Sequence, residues 1–330
     1  MQRMDSLYCP FTSNVHEDAS EVHVGSVLWA RSLGMLPTEQ HVRSAHKAKV
    51  GWLVARAFPT AGSCGLRLVA DWTVLFCMLD DFIEKCNSAV DVEEYLQYLL
   101  NLFRADIAGS FDDPFAAGLL DLRSRLLALG ELSYFTNFAD QMEALFAGFI
   151  TEAQNRDLAQ IPDVASYLPL REVTVGLHIL FTLGGLLEGF SLPDSVRAHP
   201  AIRTLATRTS NIVGWANDVF TYEKEFRAGE IHNLVLVLMN ERRISIGEAV
   251  VQAVAFHDNE VRSFLQEIEQ LPSFGAADAD VQRYVEMLRC WIRGHFDWAH
   301  ETGRYRPFEL QTGEITAEMA AQPVDAQVAA

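Results

Sequence analysis

Along the chain, apolar residues recur at intervals of three and four, the period of a helix with one buried face. Leu66, Val69, Thr73, Phe76, Leu79 and Ile83 form one such stripe. Apolar–polar alternation over a strand's length is hard to find. Proline shows where long helices can run. Inside a helix it costs about 3 kcal/mol, and none occurs between Pro59 and Pro114 or between Pro200 and Pro272. The pattern predicts helices over 18–34, 39–57, 64–87, 91–107, 115–128, 132–156, 163–190 with a break, 197–228, 233–241, 245–270 and 277–300. No internal repeat and no Gly/Ser-rich linker divides them. The expected fold is all-α: one helical domain over 1–310, with too many helices for a four-helix bundle, and a disordered tail rich in Ala and Gln over 311–330.

Composition narrows the function. Of 330 residues, 49% are hydrophobic and 21% charged, a globular balance. The net charge of -18 argues against nucleic acid and against docking on anionic lipid. It does not argue against an anionic substrate, because bound divalent metals reverse the local sign. Cys9, Cys64, Cys77, Cys86 and Cys290 are odd in number and show no CxxC spacing, so a reducing cytoplasm is expected. No signal peptide is expected, since the start carries Asp5 and no apolar core. The longest apolar stretch, Val173 to Leu187, is interrupted by His178 and two glycines and closed by Glu188. It reads as a buried helix, with no membrane insertion.

Two acidic segments carry the chemistry. The apolar run from Trp72 to Leu79 leads straight into Asp80-Asp81-x-x-Glu84. Asp80 and Glu84 are one helical turn apart on one face, where like charges repel. A divalent cation such as Mg²⁺ would offset that repulsion with oxygen ligands; the alternative is a solvated acidic helix end. In the second segment, Asn217, Thr221 and Glu225 fall at i, i+4 and i+8. Amide oxygen, hydroxyl and carboxylate offer three hard ligands on one broad face, and Lys224 adds a point charge for phosphate. An ordinary polar face explains less well why Asn217, a poor helix former, interrupts an apolar helix.

Together, Asp80-Asp81-x-x-Glu84 and Asn217-Asp218-x-x-Thr221-x-x-x-Glu225 resemble the two metal motifs of class I terpene synthases of bacterial type. Other segments follow in the family's order. Leu168-Pro169-Leu170-Arg171-x-x-Thr174-x-Gly176 is similar to the segment bearing a diphosphate-sensing arginine. His232-Asn233-Leu234-Val235 follows the second motif. Trp298, then Arg304-Tyr305, is similar to the closing Arg-Tyr pair, and Pro10-Phe11 and Trp29 also fit. The resemblance spans roughly residues 8–308. Glu84 and Thr221 depart from the commoner Asp and Ser, without changing the kind of ligand.

The resemblance implies a helical bundle enclosing an apolar cavity. It implies Mg²⁺, three ions with diphosphate bound, and ionisation and cyclisation of an isoprenoid diphosphate, first of all farnesyl diphosphate. By matching position, Asp80, Asp81, Glu84, Asn217, Thr221 and Glu225 hold metal, with Asp81 a candidate switch partner of Arg304. Arg171, Lys224, Arg304 and Tyr305 donate to the diphosphate. Phe76, Thr174, Val175, Gly184 and Trp298 are the candidates for the cavity wall. Gly184-Gly185 marks either a helix break that opens a carbonyl to the cavity or a close helix contact. The alternatives are a diterpene synthase acting on geranylgeranyl diphosphate, a prenyl diphosphate synthase, and a non-catalytic isoprenoid-diphosphate binder. A prenyl diphosphate synthase would carry a second Asp-rich motif, which this chain lacks. A homodimer is compatible with all of them.

Overall fold

The computed structural model describes residues 7–105, 112–129 and 132–305. The predicted tail over 311–330 lies outside the described residues, as do 106–107 at the end of one predicted helix. Among the described residues the regular structure is helical throughout. In chain order the helices are α1 (Ala19–Ser32), α2 (Glu39–Ala48), α3 (Val50–Ala57), α4 (Ser63–Ile83), α5 (Ala89–Arg104), α6 (Pro114–Leu129), α7 (Leu132–Asp157), α8 (Val164–Thr174), α9 (Leu177–Glu188), α10 (Asp194–Arg197), α11 (Pro200–Ala228), α12 (Leu234–Arg242), α13 (Ile246–Glu269) and α14 (Asp278–Glu301).

Their starts follow from local chemistry. The side chains of Thr38, Ser88, Asp163 and Asn233 each accept a hydrogen bond from a backbone N–H in the first turn that follows. Ser245 and Glu248 form a reciprocal capping box at the head of α13. Pro200 opens α11, where its missing N–H costs nothing. Gly189 and Gly229 end α9 and α11 with positive φ.

The structure differs from the predicted helices in instructive places. The 39–57 helix is two helices, because Lys49 takes φ 51°, a left-handed conformation that turns the chain. The helix predicted over 197–228 starts only at Pro200, and Arg197 ends a separate short helix, α10, since Pro200 cannot continue a helix from before it. The break in 163–190 falls at Val175–Gly176, where Gly176 has φ 76°, and not at Gly184-Gly185, which lie inside continuous α9. Those two glycines answer to packing. A Cβ on Gly184 would sit 2.2 Å from the Met287 sulfur, and one on Gly185 would sit 2.4 Å from the Phe190 carbonyl oxygen. By length and composition Val164–Glu188 could cross a membrane. In the fold, α9 packs against α4, α7, α11 and α14.

Helix α11 lies at the centre. It packs against α8, α9, α12, α13 and α14, and its buried residues supply both apolar clusters of the interior. Around it, α4 is held by α1, α3 and α6, and α14 runs beside α3. The α4 side depends on one acid. Asp71 is fully buried and accepts from Arg67 and Arg125, each at 2.8 Å. Arg67 also reaches the Gly25 carbonyl on α1. Arg125 also pairs with Asp121, which accepts from the Trp29 indole.

At the other end, the α2–α3 corner fixes the chain that leaves α14. The Trp298 indole N–H and the Thr302 hydroxyl both donate to the Ala48 carbonyl at 2.8 Å. The Gly303 N–H donates to the Lys47 carbonyl at 2.7 Å.

Removing the buried acid should loosen the fold without touching the cavity. Asp71→Ala leaves two arginines facing each other, at a cost of about 2–3 kcal/mol, less than a wholly buried pair because both guanidiniums keep some contact with water. A urea titration reads this as a lower midpoint at unchanged slope.

Candidate active site

The break after α8 and the far ends of α4, α11 and α14 converge on a partly open cavity of about 170 Å³. From α4 come Phe76, Asp80 and Asp81, with Glu84 just past its end. From α11 come Asn217, Thr221, Lys224 and Glu225. Arg171 and Thr174 come from the last turn of α8 and Val175 from its C-terminal cap, and Trp298, Arg304 and Tyr305 from the end of α14 and beyond. Of the residues expected at the site, Gly184 is absent from the wall, because its face is taken up by Met287. A wider hollow of about 1200 Å³ lies outside and shares Asp81, Lys224 and Arg304 with the cavity.

The apolar wall begins with Phe76, which stacks on Phe149 with ring centroids 5.9 Å apart. The edge of Phe76 also lies against Gly176, where a Cβ would come within 3.0 Å. Trp298 is 4% exposed and meets Tyr305 edge-on at 5.1 Å. Trp72, Leu180, Val213 and Trp291 complete the apolar part.

Helical spacing sorts α11 into two jobs. Asn217 and Asp218 point about 100° apart. Asn217 faces the cavity, where its Oδ1 accepts from Arg171 at 2.8 Å and its Nδ2 donates to the Tyr305 hydroxyl. Asp218 faces inward, accepting from the Tyr167 hydroxyl at 2.6 Å, from Arg171 Nε at 3.0 Å and from the Leu234 N–H at 3.0 Å. Burial by itself would depress the Arg171 pKa, but Asp218 together with Tyr167, Glu152 and Glu225 more than offsets it and holds the guanidinium protonated. Thr221 donates to the Asn217 carbonyl at 2.9 Å, and Glu225 accepts from Asn233 at 2.7 Å.

On the α4 rim, Arg304 grips Asp81 with two hydrogen bonds of 3.0 and 2.9 Å, joining the chain after α14 to the end of α4. Planar guanidinium and carboxylate match in this two-point geometry. Asp80 beside it is enclosed; burial, then repulsion from Glu84, pushes its pKa well up. Burial, then Glu230 and Asp81, raise Glu84. Across the cavity, burial and Asp218 push Glu225 up to about 7.

The donor set fits divalent metal. Hard oxygens stand on both rims, and the raised pKa values of Asp80, Glu84 and Glu225 mark a site short of positive charge. Among the described residues no three His, Cys, Asp or Glu side chains converge on one point. An ion here would therefore complete its shell from other oxygens, as Mg²⁺ does with water and phosphate.

Several residues at the site escaped the sequence reading. Asp218 sat inside a recognised segment, and an acid within an apolar helix signals a buried partner. Glu152 and Arg156 on α7 and Glu230 before α12 also border the cavity. Burial opposes the Glu230 carboxylate, but bonds from His232 and the Ile231 N–H outweigh it and hold its pKa down at about 2. These three acids and bases read only as polar helix ends. His295 on α14 had no distinguishing spacing.

Residues 71–263 match the family model described as terpene synthase family 2, C-terminal metal binding. A germacrene A synthase of Nostoc punctiforme is 30% identical over 92% of this chain and 95% of its own. A (+)-T-muurolol synthase of Roseiflexus castenholzii is 30% identical over 91% of this chain and 93% of its own. In fold, the chain is similar to germacradien-4-ol synthase of Streptomyces citricolor, with TM-score 0.79, 22% identity and coverage of 91% of this chain and 100% of that one. The metal-binding match takes in both acidic rims of the cavity, and with relatives of equal length it leads to one conclusion: the chain belongs to the terpene synthase family.

Proposed function

We propose that the protein is a Mg²⁺-dependent lyase that ionises farnesyl diphosphate and cyclises the resulting cation, releasing diphosphate. One observation carries this reading: a cavity with an aromatic wall of Phe76, Trp291 and Trp298, oxygen donors on two facing rims and Arg171, Lys224, Arg304 and Tyr305 between them. The muurolol synthase relative, named as cyclising (2E,6E)-farnesyl diphosphate, favours the C15 chain over C20.

In this reading Asp80, with Asp81 and Glu84, and the set Asn217, Thr221 and Glu225 would hold three Mg²⁺ ions. The chemistry such ions supply is neutralisation of the diphosphate charge, which makes it a leaving group. The chain's own groups do the rest. Arg171 leaves Asn217 Oδ1 for a diphosphate oxygen, freeing that amide oxygen as a ligand. Arg304, locked to Asp81, and Tyr305 cap the diphosphate and exclude water, which would quench a cation. Phe76 and Trp298 present aromatic faces worth about 2 kcal/mol each to a desolvated cation. The basic test is incubation with farnesyl or geranylgeranyl diphosphate and Mg²⁺, followed by mass analysis of the extract. No hydrocarbon or alcohol from either would overturn the reading.

Three outcomes follow from the roles. Asp80→Ala and Asn217→Ala should each lower diphosphate release at least ~100-fold. The melting temperature of Asp80→Ala should be unchanged or higher, since it relieves repulsion from Glu84, whereas Asn217→Ala should lower it, since Arg171 and Tyr305 lose their partner. Near wild-type turnover at moderate Mg²⁺ would remove the residue from the metal set.

Diphosphate with Mg²⁺ should raise the melting temperature more than either alone, by the equivalent of about 2.7 kcal/mol at a hundredfold excess over Kd. In Arg304→Ala that increment should shrink, and an equal increment would show that Arg304 makes no contact with the ligand.

Trp298→Phe loses the bond to Ala48 and should cost about 1 kcal/mol of stability. It should also shift products toward acyclic and early-terminated species, and Trp298→Leu should do so more strongly. A destabilised variant with the wild-type product profile would make Trp298 a packing residue alone.

A further inference from the structure

His295 stands in the middle of α14, in the cavity wall with Trp291 and Trp298. It is buried, its Nε2 lies 3.3 Å from the Tyr305 hydroxyl, and its Nδ1 is enclosed with no hydrogen-bond partner. The neighbouring bonds assign the protons. Arg171 can only donate, so the Asn217 atom it meets is the oxygen, and the Asn217 amide nitrogen donates to the Tyr305 oxygen. The Tyr305 hydrogen is then left for His295 Nε2, which accepts it. Burial, with the positive charge of Arg171, pushes the His295 pKa down to about 3, so the ring is neutral at ordinary pH. Nothing in the ionisation step proposed above uses this ring.

We infer that His295 Nε2 is the base that takes the last proton from the carbocation, ending the reaction as an olefin. The inference rests on the cyclising function proposed above. When diphosphate draws the Tyr305 hydroxyl to itself, the Nε2 lone pair is released towards the cavity. A C–H bond next to the cationic carbon breaks, and its electron pair becomes the π bond of the new alkene. The proton passes to Nε2. The imidazolium returns that proton to diphosphate or water as the cavity opens.

A weak base is enough here. The C–H bond beside a carbocation is so acidic that position, not basicity, decides which proton leaves. Weak basicity is also useful, because the ring enters each cycle unprotonated. The rival acceptor is a diphosphate oxygen at the polar end of the cavity.

The test uses His295→Phe, which keeps ring bulk, and His295→Gln, which keeps a polar side chain whose amide oxygen is a far poorer proton acceptor. Each is incubated with farnesyl diphosphate and Mg²⁺, and diphosphate release is measured beside the hydrocarbon profile. Release should stay within about threefold of wild type, because ionisation does not use the ring. The share of the main wild-type olefin should fall about tenfold, replaced by double-bond isomers and alcohols. A wild-type profile with normal release in His295→Phe would overturn the assignment and leave diphosphate as the base. If that variant does not fold, a wild-type profile in His295→Gln overturns it equally. A wild-type enzyme that makes only an alcohol would also overturn it. Absence of diphosphate release from the wild-type enzyme would instead reject the function on which the inference rests.

Discussion

The site depends first on Asp218. Both of its oxygens are engaged inside the protein, by Tyr167 and Arg171 from α8 and by the first N–H of α12. A buried carboxylate without such partners would cost several kcal/mol, so the three elements are pinned wherever the acid is. Because Asn217 precedes it by one residue, locking Asp218 inward aims Asn217 at the cavity. The same acid fixes the direction of Arg171 and the start of the segment that brings Asn233 to Glu225. One ion pair in the interior thereby sets the geometry of a whole rim.

The two rims share a second constraint, an excess of negative charge. Asp80, Glu84 and Glu225 are all pushed toward protonation by burial and by neighbouring acids. The fold tolerates this because helices held elsewhere, through Asp71 on α4 and Asp218 on α11, leave the acids no room to separate. Positive charge brought to the cleft would relieve that strain.

Much of this was legible in the sequence. The helical period and the proline gaps marked out the bundle, and the spacing within 80–84 and 217–225 placed the oxygen donors, because α-helices have a fixed pitch. Four things were not legible. The Lys49 corner breaks no propensity rule strongly, so 39–57 read as one helix. The glycines at 184 and 185 looked like a break, but their need is the closeness of Met287 and Phe190, which only tertiary packing reveals. Asp218, Glu152, Arg156 and His295 take their meaning from partners far away in sequence, and no local pattern reports those. Gly176 lay in a quoted segment, yet its left-handed turn became clear only once α8 and α9 were seen to separate there.

The Lys49 corner has a consequence for how such a protein can change. The arm that carries Arg304 and Tyr305 is held through the carbonyls of Lys47 and Ala48, which are main-chain atoms. Exposed side chains along α2 can therefore drift without disturbing the arm, provided the buried Val42, Ala45 and Ala48 keep the helix in place and the left-handed bend at residue 49 survives. Glycine would adopt that bend with less strain than lysine, while proline or a β-branched residue would abolish it. Selection on the closing arm would then act on a backbone shape some 250 residues upstream of it, and would leave almost no mark in the identity of the residues that hold it.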